Sequence, residues 1–255
     1  MAHVVALCSA KGSPGVTTSA LALAYAWPRA ALVVEADVAA GSAILAGHLN
    51  GREAHERGML GLGLAHRRNG RIDGEDLWRQ ALQLAPDRYL LPGLWDPVQA
   101  AQMASTWPAV ASALTDLPDL DVIVDLGRLG TAFGAEPLLA RSDLVLAVSR
   151  CSLPDTYALT RRVPALKSSL PGARLGLLTV GNRDPYPPAE LARILDVPLV
   201  GELPWDPATS GLYSHGRAAP RRRSKGALES RAGQVAHDVL AAARRPLAAA
   251  PRPAP

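Results

Sequence analysis

The sequence predicts an α/β fold: a three-layer sandwich with a mostly parallel sheet and helices on both faces. Two observations carry this. Short apolar runs rich in Val, Leu and Ile recur at residues 4–7, 30–38, 120–126, 143–149, 174–180 and 198–203. Strands that are apolar at successive rather than alternate positions are buried on both faces, as in parallel sheets. Between most of these runs lie stretches with helical spacing. Strand and helix therefore alternate, and right-handed crossovers cover both faces of the sheet. In such a sheet the functional loops follow the C-terminal ends of the strands.

Taken in order, Val4, Val5, Ala6 and Leu7 form the first strand. A loop with Gly12, Pro14 and Gly15 follows, and Thr17 and Thr18 open the helical run LALAYAW. A strand, a glycine-bearing loop and a helix start make an anion site, because loop N–H groups and the positive helix end converge on one spot. The second strand, AALVVEADV, ends in Glu35 and Asp37. Residues 40–49 predict a short helix, 50–76 a loop with a short helix and a turn, and 76–84 another helical turn or two. A strand is predicted at 88–92 and a helix at 98–114, which Pro108 breaks or kinks. LDVIVDL at 120–126 is a buried strand carrying Asp125 near its end. Helices follow at 135–140, 156–170 (interrupted by Pro164) and 188–195. The last helix, 226–244, spaces Leu228, Ala232, Val235, Val239 and Ala243 by three and four, and Ala236 and Leu240 widen the stripe. Such a stripe packs back onto its own sheet. A membrane-lying helix would carry bulkier anchors.

With 255 residues, 48% hydrophobic and 20% charged, the chain can bury a core and is expected to be a soluble globular protein. No apolar run is long enough to span a bilayer, and no signal peptide is evident. Cys8 and Cys151 sit in or beside predicted strands and read as buried free thiols, which fits a cytoplasmic setting. The net charge of +4 is unevenly spread. From Arg217 onward there are nine Lys/Arg against two acids, and the preceding residues carry 18 against 21. The basic end, with Arg221, Arg222, Arg223 and Lys225, could touch nucleic acid or anionic lipid, or be a solvated tail. The histidines have no metal-ligand spacing, and no nucleophilic triad can be assembled from scattered residues.

The phosphate-loop signature GxxxxGK[ST] is not matched, since Thr17 occupies the sixth position from Gly12. The stretch Lys11-Gly12-Ser13-Pro14-Gly15-Val16-Thr17-Thr18 instead resembles the deviant phosphate loop KGGxGK[ST]T of the ParA/MinD ATPases, within the P-loop NTPase-like folds. Ser13 replaces a glycine and Val16 replaces the lysine before the threonines. The resemblance extends along the chain: the acid-ended second strand (E-x-D for the family's D-x-D), then VIVD ending at Asp125 like a Walker B strand, then Gly127, Arg128 and Gly130 where the family has a switch segment. It covers most of residues 1–216.

The resemblance implies ATP and Mg²⁺ as cofactors. Lys11 would reach the phosphates across a dimer interface, and Asp37 would orient the attacking water. Gly12, Ser13, Pro14, Gly15, Val16, Thr17 and Thr18 would cradle the phosphates, with Thr17 and Asp125 serving Mg²⁺. Asn182 would read the adenine edge and the Pro204 loop would lie near the base. Taken alone, Asp37 also reads as a helix cap, Asn182 as a turn residue and the Pro204 loop as an ordinary connection. The implied partners are a second copy of the chain and a protein that regulates turnover or localisation, with contact to DNA or anionic membrane through the basic end. The implied setting is cytoplasmic, with nucleoid or membrane association. The implied organisation is a nucleotide-binding domain over residues 1–244, with a basic lead-in at 217–225 to the last helix and a disordered Pro/Ala-rich tail at 245–255. Losing the lysine at position 16 removes a charge-assisted bond of about 1.5–3 kcal/mol, or roughly ten- to a hundredfold in affinity. Two readings follow: a slow, dimerising positioning ATPase, or a pseudo-ATPase that keeps the fold as a scaffold. The nitrogenase iron-protein relatives need cysteines after the Walker B strand, and nothing marks a small organic substrate.

Overall fold

The structure is a computed structural model and describes residues 2–12, 14–39, 41–170, 174–181, 185–217 and 225–245. Its centre is an eight-stranded sheet in the order β3-β4-β2-β5-β1-β6-β7-β8. These strands are β1 (Val4–Ser9), β2 (Ala31–Glu35), β3 (Leu82–Ala85), β4 (Arg88–Leu91), β5 (Asp121–Arg128), β6 (Leu144–Ser149), β7 (Arg174–Val180) and β8 (Leu199–Leu203). All neighbours pair in parallel except β3 and β4, which form an antiparallel edge hairpin.

The predicted three-layer sandwich is observed. β1 is buried at every position, and its successive side chains enter two different cores. Val4, Ala6 and Cys8 belong to a cluster with α2 (Met59–Asn69), α5 (Trp107–Thr115), α7 (Leu153–Ser169) and α8 (Pro188–Leu195). Val5 and Leu7 face α1 (Val16–Ala26) and the C-terminal helix. Both faces of the strand are therefore apolar, as its continuous hydrophobic run requires, and each buried Val or Leu contributes about 1.5–3 kcal/mol. Both thiols are buried, and full enclosure pushes that of Cys8 up to about 12.

Four local outcomes differ from expectation. Residues 82–85 are not helical: α3 (Gly74–Gln80) ends early and β3 takes its place as the short edge strand. Of the two outcomes expected at Pro108, a break is observed and a kink is not: the predicted helix 98–114 is divided just before it. It sits in the first turn of α5, where a missing N–H is no loss, and the preceding residues form a 3₁₀ turn (Pro97–Gln99) and α4 (Ala100–Met103). The short helix predicted in 40–49 is a π-helix, Ile44–His48, and α6 (Pro137–Ala140) lies in the predicted helix 135–140. The loop after β8 is followed directly by α9 (Pro207–Ser214), capped by Asp206, whose carboxylate accepts the Thr209 N–H at 3.0 Å. Pro164 is accommodated inside α7.

The last helix, α10 (Ala227–Arg244), buries Leu228, Ala232, Val235, Ala236, Val239, Leu240 and Ala243 against α1 and β8. Its apolar stripe is consumed by the core. Among the described residues no helix is long and apolar enough to cross a membrane. Arg221, Arg222 and Arg223 of the basic lead-in and the tail from residue 246 lie outside the described residues. Lys225 is described and exposed.

Candidate functional site

The C-terminal ends of the central strands open onto a cavity of about 540 Å³. The loop after β1 and the start of α1 form one wall, through Gly12, Pro14, Gly15, Val16, Thr17 and Thr18. Gly15 turns the chain into α1 with φ of 99°, a left-handed conformation that strains any residue with a Cβ. The positive end of the 11-residue helix α1 is thus delivered to the cavity, where it favours an anion. The rest of the lining includes Val180, Pro204, Trp205 and Tyr213, at the ends of β7 and β8 and on α9.

Below the loop lies a niche of about 20 Å³, lined by Thr17, Glu35, Asp37 and Asp125 among others. This is about the space of one water or ion. Asp125 is 2% exposed. Its carboxylate accepts the Gly127 N–H at 2.9 Å and a bond from the Thr17 hydroxyl. Burial, reinforced by the nearby Glu35 and Asp37 carboxylates, pushes it up to about 7 against those two bonds. Asp37 is also raised, by burial, while it accepts the Ala39 N–H at 2.9 Å. It lies so close to Gly127 that a Cβ there would overlap the carboxylate, and Gly127 has φ of 56°. Only glycine leaves room for this approach.

Glu35 has a different job. It is buried, accepts N–H groups of Ile44 at 2.9 Å and Gly93 at 3.3 Å, and is bonded by the Ser42 hydroxyl. It ties the segment after β2 to the segment after β4, and so holds the floor under Asp37. Among the described residues no group of three or more His, Cys, Asp or Glu side chains is arranged to hold a metal alone. A divalent ion would need the Thr17 hydroxyl, water and ligand oxygens besides Asp125, which is how Mg²⁺ is bound with phosphates. The small niche and its oxygen donors, the Thr17 hydroxyl and the buried Asp125 carboxylate, fit that ion.

The structure therefore brings Gly12, Pro14, Gly15, Val16, Thr17, Thr18, Asp37 and Pro204 to one cavity, with Asp125 in the adjoining niche. Val16 is on the wall but only 5% exposed, packed in the cluster with α1. Lys11 stands apart. Its ammonium is 3.6 Å from Asp155 at the start of α7, and its side chain is half exposed. Ser13 and Asn182 lie outside the described residues. Sequence reasoning overlooked Trp205, Tyr213 and Arg150, all of which line the cavity. Arg150 directly follows the buried run of β6, the same strand-end signal that exposed Asp37 and Asp125 to view.

No protein-family model matches the chain, and no curated protein matches its sequence. Solved structures match closely in shape. The cell division ATPase MinD of Pyrococcus furiosus superposes with a TM-score of 0.71 at 21% identity, covering 94% of this chain and 99% of the other. The fold is that of the MinD and ParA ATPases. The septum site-determining protein MinD of Pyrococcus horikoshii, complexed with Mg-ADP, gives 0.70 at 20% identity over 94% and 96%. A ParA family ATPase from Chlorobium tepidum gives 0.69 at 16% over 92% and 98%. The MinD/ParA fold accounts for the strand order and for the placement of the loop, the acid-ended strands and the cavity on one edge of the sheet.

Proposed function

We propose that the chain binds ATP with Mg²⁺ in this cavity and acts as a nucleotide-dependent dimerising switch in intracellular positioning or partitioning. The carrying observation is convergence. Residues from the loop after β1, the end of β2 and the end of β5 meet around one space, although they are separated by more than a hundred positions in the chain. The helix end favours phosphate, and the carboxylates favour the cation that accompanies it. Structural neighbours include the Mg-ADP complex named above and a McdA–ATP complex from Cyanothece.

In this reading Thr17 and Asp125 would hold the ion, and Asp37 would orient the attacking water. Mg²⁺, when bound, neutralises charge on the phosphate oxygens. Lys11 leaves Asp155 to cover phosphates, in its own subunit or across a homodimer. Partners of this kind of switch are a regulating protein and, through Arg221, Arg222, Arg223 and Lys225, DNA or an anionic membrane in or near the cytoplasm.

One observation favours a second reading, a pseudo-ATPase scaffold: the residue in the lysine position, Val16, is packed into apolar core. The test is binding of a fluorescent ATP analogue with Mg²⁺ to the native chain and to Lys11→Ala, followed by turnover. Binding that weakens in Lys11→Ala supports the switch. Binding with no turnover, in both native chain and Val16→Lys, supports the scaffold.

A further inference from the structure

The phosphate loop has lost a positive charge at Val16, and a triphosphate brings several negative ones. Among the described residues the Lys and Arg side chains that line the cavity are Arg128 and Arg150. They flank the loop from opposite sides. Arg128 is on β5, level with Ser9 of β1, and is exposed. Arg150 follows β6, the neighbour of β1 on its other side. Cys8 pairs with Ala147, so Arg150 lies as many residues beyond that pair as Lys11 does. Arg150 is half-buried, and its guanidinium stacks over the Trp205 ring at 5.1 Å from the centroid.

We propose that Arg150 supplies, from the end of β6, the charge that the loop lacks at Val16, and that it binds the nucleotide's phosphates. This rests on the nucleotide-binding reading above. A guanidinium is always charged, and its forked donors match two phosphate oxygens at once. A cation already held against the cavity wall loses less side-chain entropy on binding than an exposed one. The Trp205 stack provides that holding, since a guanidinium plane lies well on an indole face. Arg128 has no such seat and serves as the comparison. The stack also supplies a reporter, because moving Arg150 toward phosphate uncovers Trp205.

The test compares native chain, Arg150→Ala, Arg150→Lys, Arg128→Ala, Val16→Lys and the double variant Val16→Lys/Arg150→Ala. The probes are ATP with Mg²⁺ and adenosine, and thermal melting checks that each variant folds. Arg150→Ala is expected to weaken ATP about tenfold or more while leaving adenosine within about twofold. Arg150→Lys should fall between. Val16→Lys should rescue ATP binding more strongly in the Arg150→Ala background than in the native one, a non-additivity that a merely structural role for Arg150 would not produce. ATP should change native tryptophan emission, and the change should vanish in Trp205→Phe.

Three results would overturn the assignment. Arg150→Ala and native chain could bind ATP equally. Arg150→Ala could lose adenosine as much as ATP, which would place Arg150 on the base. Val16→Lys could add the same increment in both backgrounds. If the native chain binds no ATP at all, the nucleotide reading fails and this assignment falls with it, whereas tight native binding with an indifferent Arg150→Ala sinks the assignment alone.

Discussion

The two halves of the cavity are built to different standards. On the side of β2 and β5, Thr17, Asp37 and Asp125 meet around a space for one ion, with Glu35 bracing the floor. On the side of the phosphate loop, the expected lysine is a buried valine, and Lys11 is engaged with Asp155. Buried carboxylates are expensive unless a cation or hydrogen bonds offset them. Asp125 receives two such bonds and is still pushed up to about 7. The β2/β5 side thus gathers buried acids around one small space, whereas the loop side has valine where the resemblance predicts lysine and leaves phosphate charge to Arg150 under the proposal above. Under the proposed function the difference would make binding and turnover separable: the first would rest on the helix end and the ion, the second on charge at the transferring phosphate.

The sharpest way to break this contrast is to repair the weaker half. Val16→Lys is expected to raise the rate of ATP hydrolysis, by up to about 10³-fold if charge at the transferring phosphate is the missing factor. A turnover assay under single-nucleotide saturation checks it. Damage to the stronger half comes next in size. Thr17→Ala or Asp125→Asn should lower affinity for ATP with Mg²⁺ by roughly ten- to a hundredfold, and the loss should shrink when Mg²⁺ is replaced by EDTA.

A third prediction concerns the buried acids. Folded Asp125 keeps its proton up to about pH 7, and the unfolded chain loses it in the ordinary carboxylate range. This group's contribution to stability is fully present in acid and is lost as pH rises through about 7, on the order of 4 kcal/mol by neutral pH. Relative to Asp125→Asn, the ligand-free native chain should therefore lose stability between about pH 4 and 7 in urea titrations. A flat difference would mean that Asp125 titrates normally. The smallest effect belongs to the other half. Lys11→Ala removes a half-exposed ion pair and should change stability by less than about 1 kcal/mol, even where it reduces nucleotide-dependent dimerisation seen by light scattering.

Most of this site was legible in the sequence because burial wrote it there. Runs such as VVALC and DVIVD are apolar at every position, so they had to be central strands, and the residues just past them had to share one edge of the sheet. The parts that escaped are those where local signals conflict or tertiary packing decides. LQLA is four residues long, only partly buried, and joins a helix without a turn signal, so its role as an edge strand depends on pairing with β4. In WPAV the proline looks like a breaker, and only its place in a first turn makes it harmless. The Asp206-Pro207 pair was a cap and first-turn signal that the proline-rich context obscured. Arg150 escaped because it is a single charge after a strand, with no surrounding motif to mark it. The division of labour between Glu35 and Asp37, two residues apart, depends on the segments that fold over them.

Calorimetric titration of ATP into the native chain, with Mg²⁺ and again with EDTA, bears most directly on the central claim that loop and acids form one triphosphate–metal site. The account predicts a single saturable site that weakens markedly in EDTA and in Asp125→Asn. No heat of binding with Mg²⁺, or binding indifferent to both the ion and Asp125, would contradict it.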